Sequence, residues 1–207
     1  MLKQIRPAVM SVVLFTVFAG LLFPLAITLA AQALFRWQAN GSLIRRGGTV
    51  IGSRLIGQQF DLPGYFHPRP SSAGAGYDAT DSGGSNLGPT SAKLINGVHS
   101  SANRSDSFAG VADLAAAYRR ENGLAPNVPI PADAVTRSAS GLDPDISPAN
   151  ANLQAARVAQ ARRLPLGEVR SIIAACSSGR TLGFLGEPRV NVLEMNLRLD
   201  RAGHRGG

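Results

Sequence analysis

The chain has 207 residues, enough for one ordinary domain and an appendage, and carries 21 basic against 13 acidic side chains, a formal charge of +8. All basic residues except Lys3 and Lys93 are arginine, none sits in a run longer than two, and aromatics make up 6% of the chain, which argues against a nucleic-acid-binding stripe. A single cysteine, Cys176, excludes an intramolecular disulfide and a cysteine-rich zinc site, and the scattered His67, His99 and His204 give no metal-ligand spacing.

From Pro7 to Phe35 no residue is charged. A helix over that run reaches roughly 43 Å, against roughly 30 Å of bilayer hydrocarbon, so it is long enough to cross once. Pro24 marks an expected kink, and Trp37 beside Arg36 suits an interfacial anchor at the far end. Ala31-Gln32-Ala33 offers a small-residue cleavage pattern for a secretory signal. A signal core is typically about 7–15 residues, however, and an uncleaved anchor is the better reading. The expected organisation is an anchor over 1–36, with the span at about 8–35, and a soluble domain over 37–207. Lys3 and Arg6 precede the run while Arg36, Arg45, Arg46 and Arg54 follow it. Counting positive charges alone therefore points the larger part toward the cytoplasm.

Beyond the polar connection Asn40-Gly41-Ser42, residues 49–60 read as strand material punctuated by Gly52 and Gly57. Residues 61–91 are rich in Gly, Pro, Ser, Asp and Asn, as in a linker, yet Tyr65, Phe66, Tyr77 and Leu87 suggest an ordered loop pinned by aromatic side chains. Leu94, Ile95 and Val98, and then Val111, Leu114, Ala115 and Tyr118, have helical spacing, with Gly123 as a stop before Pro126, Pro129 and Pro131. Ala134–Thr136 is a short strand candidate. Ser147-Pro148 supplies an N-cap and a first-turn proline for an alanine-rich helix to about Arg163. Pro165 opens another, with Val169, Ile172, Ile173 and Cys176 on one face and Gly179 as its stop. Arg189–Leu199 alternates as a strand, with a shift after Leu193 that suggests a bulge. The fold class is α/β: one N-terminal transmembrane helix followed by a small mixed α/β domain.

No residue pattern announces catalysis. There is no phosphate-binding loop ending in Lys-Ser/Thr, and Gly74-x-Gly76 lacks the strand–turn–helix setting of a dinucleotide site. Serine-nucleophile and zinc-hydrolase motifs are missing too. Ser82, Ser85 and Ser140 read as turn and cap residues, and Asp78, Asp81, Asp143 and Asp145 as solvated turns. His67 reads as a packed loop histidine and Cys176 as a small apolar residue. The competing reading is an anchored, exported hydrolase using the Asp/Ser-rich loop, with Asp78 and Ser85 as its working residues. The residues favour an accessory role with no catalytic group and no metal site.

Several ordered motifs carry a resemblance. Tyr65–Ser71, Tyr77-Asp78, Ser82–Thr90, Pro131–Thr136, Ser138–Pro144, Ile146–Pro148, Arg157–Ala159 and Gly179–Leu193 closely resemble the KdpC family, the C subunit of the bacterial Kdp potassium-transporting ATPase. With the N-terminal span, the likeness covers nearly the whole chain in order. It implies a non-hydrolysing subunit of an ATP-driven potassium uptake complex in the bacterial inner membrane. The partners implied are a channel-like A subunit, which selects the ion, and a P-type ATPase B subunit, which hydrolyses ATP. The family is described as needed for assembly and activity, and as a catalytic chaperone that raises the ATP affinity of the B subunit. ATP is then met through that subunit, and no cofactor is assigned to this chain. The resemblance also implies a periplasmic domain, opposite to the charge count. Ser85, Asn86, Leu87, Gly88, Pro89, Asp143 and Pro144 are the expected interface or shape-setting residues. Two positions depart from the family pattern: Asp145 stands where many relatives have His after Asp-Pro, and Cys176-Ser177 where His-Thr is common.

Overall fold

The computed structural model describes residues 2–100 and 107–203, so His204 lies outside the described residues. Backbone contacts divide the chain into two compact units, the first ending at Ser53 and the second beginning at Arg54.

The first unit begins with the apolar run. Its helix extends from Ile5 to Leu34 with a mean hydropathy of 2.5, and its side chains face outward rather than into a core. By length and composition it is sufficient to cross a membrane. Around Pro24 the helix changes pitch: α1 (Ile5–Val17) passes through one wider turn, Phe18–Leu22, into α2 (Phe23–Leu34). Pro24 has no N–H and its ring crowds the carbonyl four residues back. The wider turn, in which the Phe23 N–H reaches the Phe18 carbonyl, absorbs that conflict.

A break at Phe35 leads to the short α3 (Arg36–Ala39), then to a hairpin of β1 (Leu43–Arg46) and β2 (Thr49–Ser53). Gly47 and Gly48, at φ 57° and 84°, supply the left-handed two-residue turn such a hairpin favours. Side chains tie hairpin and helix end together. The Trp37 indole donates to the Leu43 carbonyl at 3.2 Å, and the Asn40 amide donates to Gln32 Oε1 at 3.0 Å. The strand expected over 49–60 thus stops at Ser53. Its partner is a segment, 43–46, that sequence reasoning passed over.

The second unit is built on helices α5 (Val111–Asn122), α6 (Pro148–Arg162), α7 (Leu166–Cys176) and α8 (Val192–Gly203), with the one-turn α4 (Ala92–Asn96) ahead of them. A small antiparallel sheet has the order β3 (Asp145–Ile146), β5 (Arg189–Asn191), β4 (Ser177–Ser178). The main core joins Ala151, Ala155 and Val158 of α6, Val169, Ile173 and Cys176 of α7, and Val192, Met195 and Leu199 of α8, with Phe66, Ile146 and Val190. Tyr118, Ala134 and Val135 form a second, smaller cluster, against which the α5 stripe of Val111, Leu114 and Ala115 packs.

Most helix signals in the middle of the chain hold, but α4 closes at Asn96, before Val98, and α7 ends at Cys176, where the chain turns extended at Ser177 before Gly179. Gly123 ends α5 at φ 62°, Ser147 Oγ accepts the Asn150 N–H at 3.1 Å as N-cap of α6, and Cys176 is buried on α7.

Two strand expectations do not hold. Residues 132–134 form a 3₁₀ turn, closed by the Thr136 hydroxyl donating to the Ala132 carbonyl at 2.7 Å. The expected strand 189–199 is a three-residue strand followed directly by α8. Its buried positions Val192, Met195, Asn196 and Leu199 are spaced by three and four, and Asn191 Oδ1 accepts the Glu194 N–H at 3.1 Å as a cap. The apparent bulge after Leu193 is the change of period from two to 3.6.

Candidate functional site

Residues 61–91 are ordered, and polar side chains hold them more than aromatic ones do. Two buried amides act as substitute peptide groups. Asn196 of α8 accepts the Phe66 N–H at 2.8 Å and donates to the Phe66 carbonyl at 3.0 Å. Gln154 of α6 does the same for His67, at 2.8 and 3.0 Å. An extended backbone thereby enters the core without a neighbouring strand, with every pairing made by a side chain. Phe66, fully buried between them, contributes about 2–3 kcal/mol of apolar transfer.

Arg157 clasps the same segment. Its Nη1 donates to the Pro63 and Tyr65 carbonyls at 2.6 and 3.0 Å, its Nη2 to Gln154 Oε1 at 2.8 Å, and its Nε to Asn122 Oδ1 at 3.0 Å. Burial lowers its guanidinium pKa against the pull of nearby Glu121. On the outer side, Arg162 lies 4.4 Å over the Tyr65 ring and shares Asp200 with the Tyr65 hydroxyl, each at 3.0 Å.

Further along, the glycine-rich stretch packs against residues 138–145. Arg69 donates to Asp143 Oδ2 at 2.7 Å, and the Tyr77 hydroxyl donates to the Arg69 carbonyl. Ser71 Oγ donates to the Gly141 carbonyl at 2.7 Å while accepting the Ala73 and Tyr77 N–H groups at 3.1 and 3.0 Å. Burial, and then the nearby Asp143 carboxylate, push the Tyr77 phenol pKa up, so it stays a neutral donor. The two backbones run close enough to require glycine. At Gly141, φ 67°, a Cβ would lie 2.6 Å from both the Ala73 nitrogen and the Gly83 oxygen.

Asp143 and Pro144 therefore sit at the centre of this junction. Asp143 Oδ1 also accepts the Asp145 N–H at 3.1 Å, and the Pro144 carbonyl accepts the Val192 N–H at 3.0 Å. Ser85–Pro89 leave the junction after Gly84 and run along the surface. Asn86 is left-handed there at φ 51°, Ser85 and Leu87 are half-buried, and Gly88 and Pro89 are exposed. Asp145 reaches Arg189 at 3.2 Å and accepts from the Asn191 amide at 3.2 Å, while burial raises its carboxyl pKa. Burial likewise pushes the Cys176 thiol up, away from a reactive thiolate.

An open groove of about 350 Å³ is lined by His67, Arg69, Tyr77, Tyr118 and Glu121. Its polar groups face one another. His67 Nδ1 lies 2.6 Å from Glu121 Oε1, and His67 Nε2 lies 3.1 Å from the Leu62 carbonyl. The hydrogen bond from His67 holds the Glu121 carboxyl below its usual range. Tyr118 donates to Asn150 Oδ1 at 2.7 Å, and Asn150 donates to Asp133 at 2.9 Å. Asp133 also takes the Ser147 N–H and hydroxyl, at 2.8 and 2.9 Å.

The arrangement is a scaffold network, with its donors and acceptors turned inward. Asp78 is occupied by Thr80, whose N–H and hydroxyl reach Oδ1 at 2.8 and 2.7 Å, and no hydrogen bond among the described residues joins Ser85 to an acid or a histidine. Among the described residues no group of three His, Cys, Asp or Glu side chains is placed to hold a metal ion.

Arg69 and Arg157 entered the sequence reading only as members of motifs, and Asn150, Gln154 and Asn196, which help position the site, escaped it. One signal was available: Asn150 and Gln154 lie on the same helical stripe as Ala151, Ala155 and Val158. A buried amide on an apolar stripe asks for a backbone partner.

Comparison with known proteins gives a consistent answer. Residues 5–201 match the family described as KdpC, K+-transporting ATPase, c chain. Proteins named potassium-transporting ATPase KdpC subunit align over nearly the full length. The one from Mycobacterium tuberculosis is 52% identical over 201 residues, covering 97% of this chain and 100% of its own. The one from Caulobacter vibrioides is 56% identical over 201 residues, covering 97% and 94%. That of Caulobacter sp. (strain K31) is 52% identical over 212 residues, covering both chains fully.

Proposed function

The chain belongs to the KdpC family, and from that premise we propose how it serves as a subunit of a potassium-transporting ATPase. It is an accessory, non-hydrolysing subunit. Residues 1–36 anchor it as a single-pass protein in the bacterial inner membrane, and residues 37–207 form the soluble part on the periplasmic side. Its partners are the channel-like A subunit and the P-type ATPase B subunit. Ser85–Pro89, Asp143 and Pro144 shape the surface it offers them. It supports assembly and acts as a catalytic chaperone that raises the B subunit's affinity for ATP. A periplasmic domain reaches a cytoplasmic nucleotide site only by favouring one conformation of the complex through differential contacts. In this reading the chain meets ATP through the B subunit.

One observation carries the reading. An outward-facing apolar helix of 30 residues is joined to a domain whose candidate polar site is turned inward on its own backbone. The first feature suits a membrane partner, and the second suits a domain that works by association.

Topology is the sharpest test. The buried Cys176 is a silent background, so Arg201→Cys on the exposed last turn of α8 gives one reactive thiol. A membrane-impermeant maleimide should label it in intact spheroplasts. Labelling only after lysis overturns the periplasmic placement. Deleting residues 1–36 should in turn abolish co-purification with the other subunits while the domain keeps its melting transition. Normal co-purification without the anchor removes the role given to the helix.

A further inference from the structure

The connection from β4 to β5 shows three large apolar side chains at its tip: Leu182 is 78% exposed, Phe184 67% and Leu185 49%. Its conformation is defined. The Thr181 N–H donates to the Leu185 carbonyl at 2.8 Å, and the Leu185 N–H returns to the Thr181 carbonyl at 2.9 Å. At its base Arg180 Nη2 contacts both oxygens of Glu187, at 2.9 and 2.7 Å. Leu182 adopts φ 55°, a left-handed conformation costly for a γ-branched side chain, beside Gly183 at 83° and Gly186 at 76°. The stem is fixed in the core, since Ser177 pairs with Val190, which is fully buried. This knob is apolar, convex, strained and rigidly mounted.

We infer that Leu182, Phe184 and Leu185 insert into an apolar socket on another protein chain of the potassium-transporting ATPase. The inference rests on the proposed role as an assembling subunit and names one further place where that assembly is made. The charges around the knob argue for protein over lipid. The two arginines that flank it in the sequence are both paired, Arg180 with Glu187 and Arg189 with Asp145 at 3.2 Å. These flanking pairs are neutral, whereas anionic headgroups favour unpaired basic residues beside an inserted tip. A fluid acyl layer also gains nothing from a fixed backbone, whereas a shaped socket gains affinity from a knob already held in its bound form. Aromatic and aliphatic anchors inside a polar rim are the usual centre of a protein interface.

The test keeps the full chain, co-expressed with the other subunits. p-Benzoyl-phenylalanine replaces Phe184, an aromatic-for-aromatic change on an exposed side chain, and native membranes are irradiated. The expected product is a covalent adduct with another chain of the ATPase, identified by mass spectrometry. The pair Leu182→Asp with Phe184→Asp should lower co-purified partner about tenfold or more with the anchor intact, and leave the melting temperature of the chain unchanged. Adducts only with lipid or with a second copy of this chain, or no adduct, in a complex that still co-purifies, overturn the knob and spare the proposed function. Failure of the unaltered chain to co-purify overturns both.

Discussion

The two units of this chain use side chains in opposite ways. In the first, apolar residues point outward along 30 helical positions, and order comes from the helix's own backbone bonds. In the second, the core is thin, with three alanines of α6 among its buried members, and order comes from polar side chains gripping loop backbone. The difference shows where each unit is vulnerable. The helix tolerates loss of a side chain but needs an apolar surrounding. The domain tolerates water but not the loss of one buried amide.

The contrast breaks most visibly at Asn196. Replacing it with leucine keeps the volume similar and leaves the Phe66 N–H and carbonyl unpaired in the core. The expected cost is about 3 kcal/mol, read as a lower midpoint in urea denaturation of the domain. An unchanged midpoint would mean that the amide is not a structural substitute for a strand.

Gly141→Ala is the next largest. It asks an L side chain to accept φ 67° and to meet backbone atoms at 2.6 Å. A loss of about 2 kcal/mol is expected by the same measurement. A neutral result would show that the junction between residues 71–84 and 138–143 opens freely.

A smaller, pH-dependent effect belongs to Glu121, whose carboxyl is held low first by the hydrogen bond from His67 and also by Arg157. A carboxyl lowered in the folded state contributes stability that is complete above its unfolded value, about 4.3. That contribution is lost as pH falls through the lower folded value. Glu121→Gln should therefore melt earlier than the natural chain above about pH 5, and the gap should close on acidification. Because Glu121 is more than one-third exposed, the gap should be modest. A gap that widens in acid contradicts the assigned pairing. The smallest effect is expected from Leu14→Ala in the apolar helix, which should leave the domain's melting unchanged. A shift there would mean the two units are not energetically separate.

How much of this was legible follows the same division. A long uncharged run states its own structure, so the helix 5–34 was evident, and so were α5, α6 and α7 from apolar spacing and from Ser147, Pro148 and Gly123. Helix α8 was missed because Val190, Val192, Met195, Leu197 and Leu199 satisfy a strand pattern as well as a helical one. The polar Asn196, lying on the buried face, hid the better match. The loop at 61–91 carried its composition openly but not its partners. Amide-to-backbone pairing of this kind is not local: Gln154 meets His67 and Asn196 meets Phe66 across 87 and 130 positions of chain. No spacing rule encodes such pairs. The knob at 182–185 was visible as part of a motif, but its exposure and its left-handed leucine belong only to the folded structure.

The central claim is that this chain works by association and not by chemistry of its own. ATP titration of the purified ATPase, assembled with and without the chain, tests it most directly. The account predicts a lower apparent KM for ATP when the chain is present, and no hydrolysis by the chain alone. ATP turnover by the isolated chain, or an identical KM in both assemblies, would contradict it.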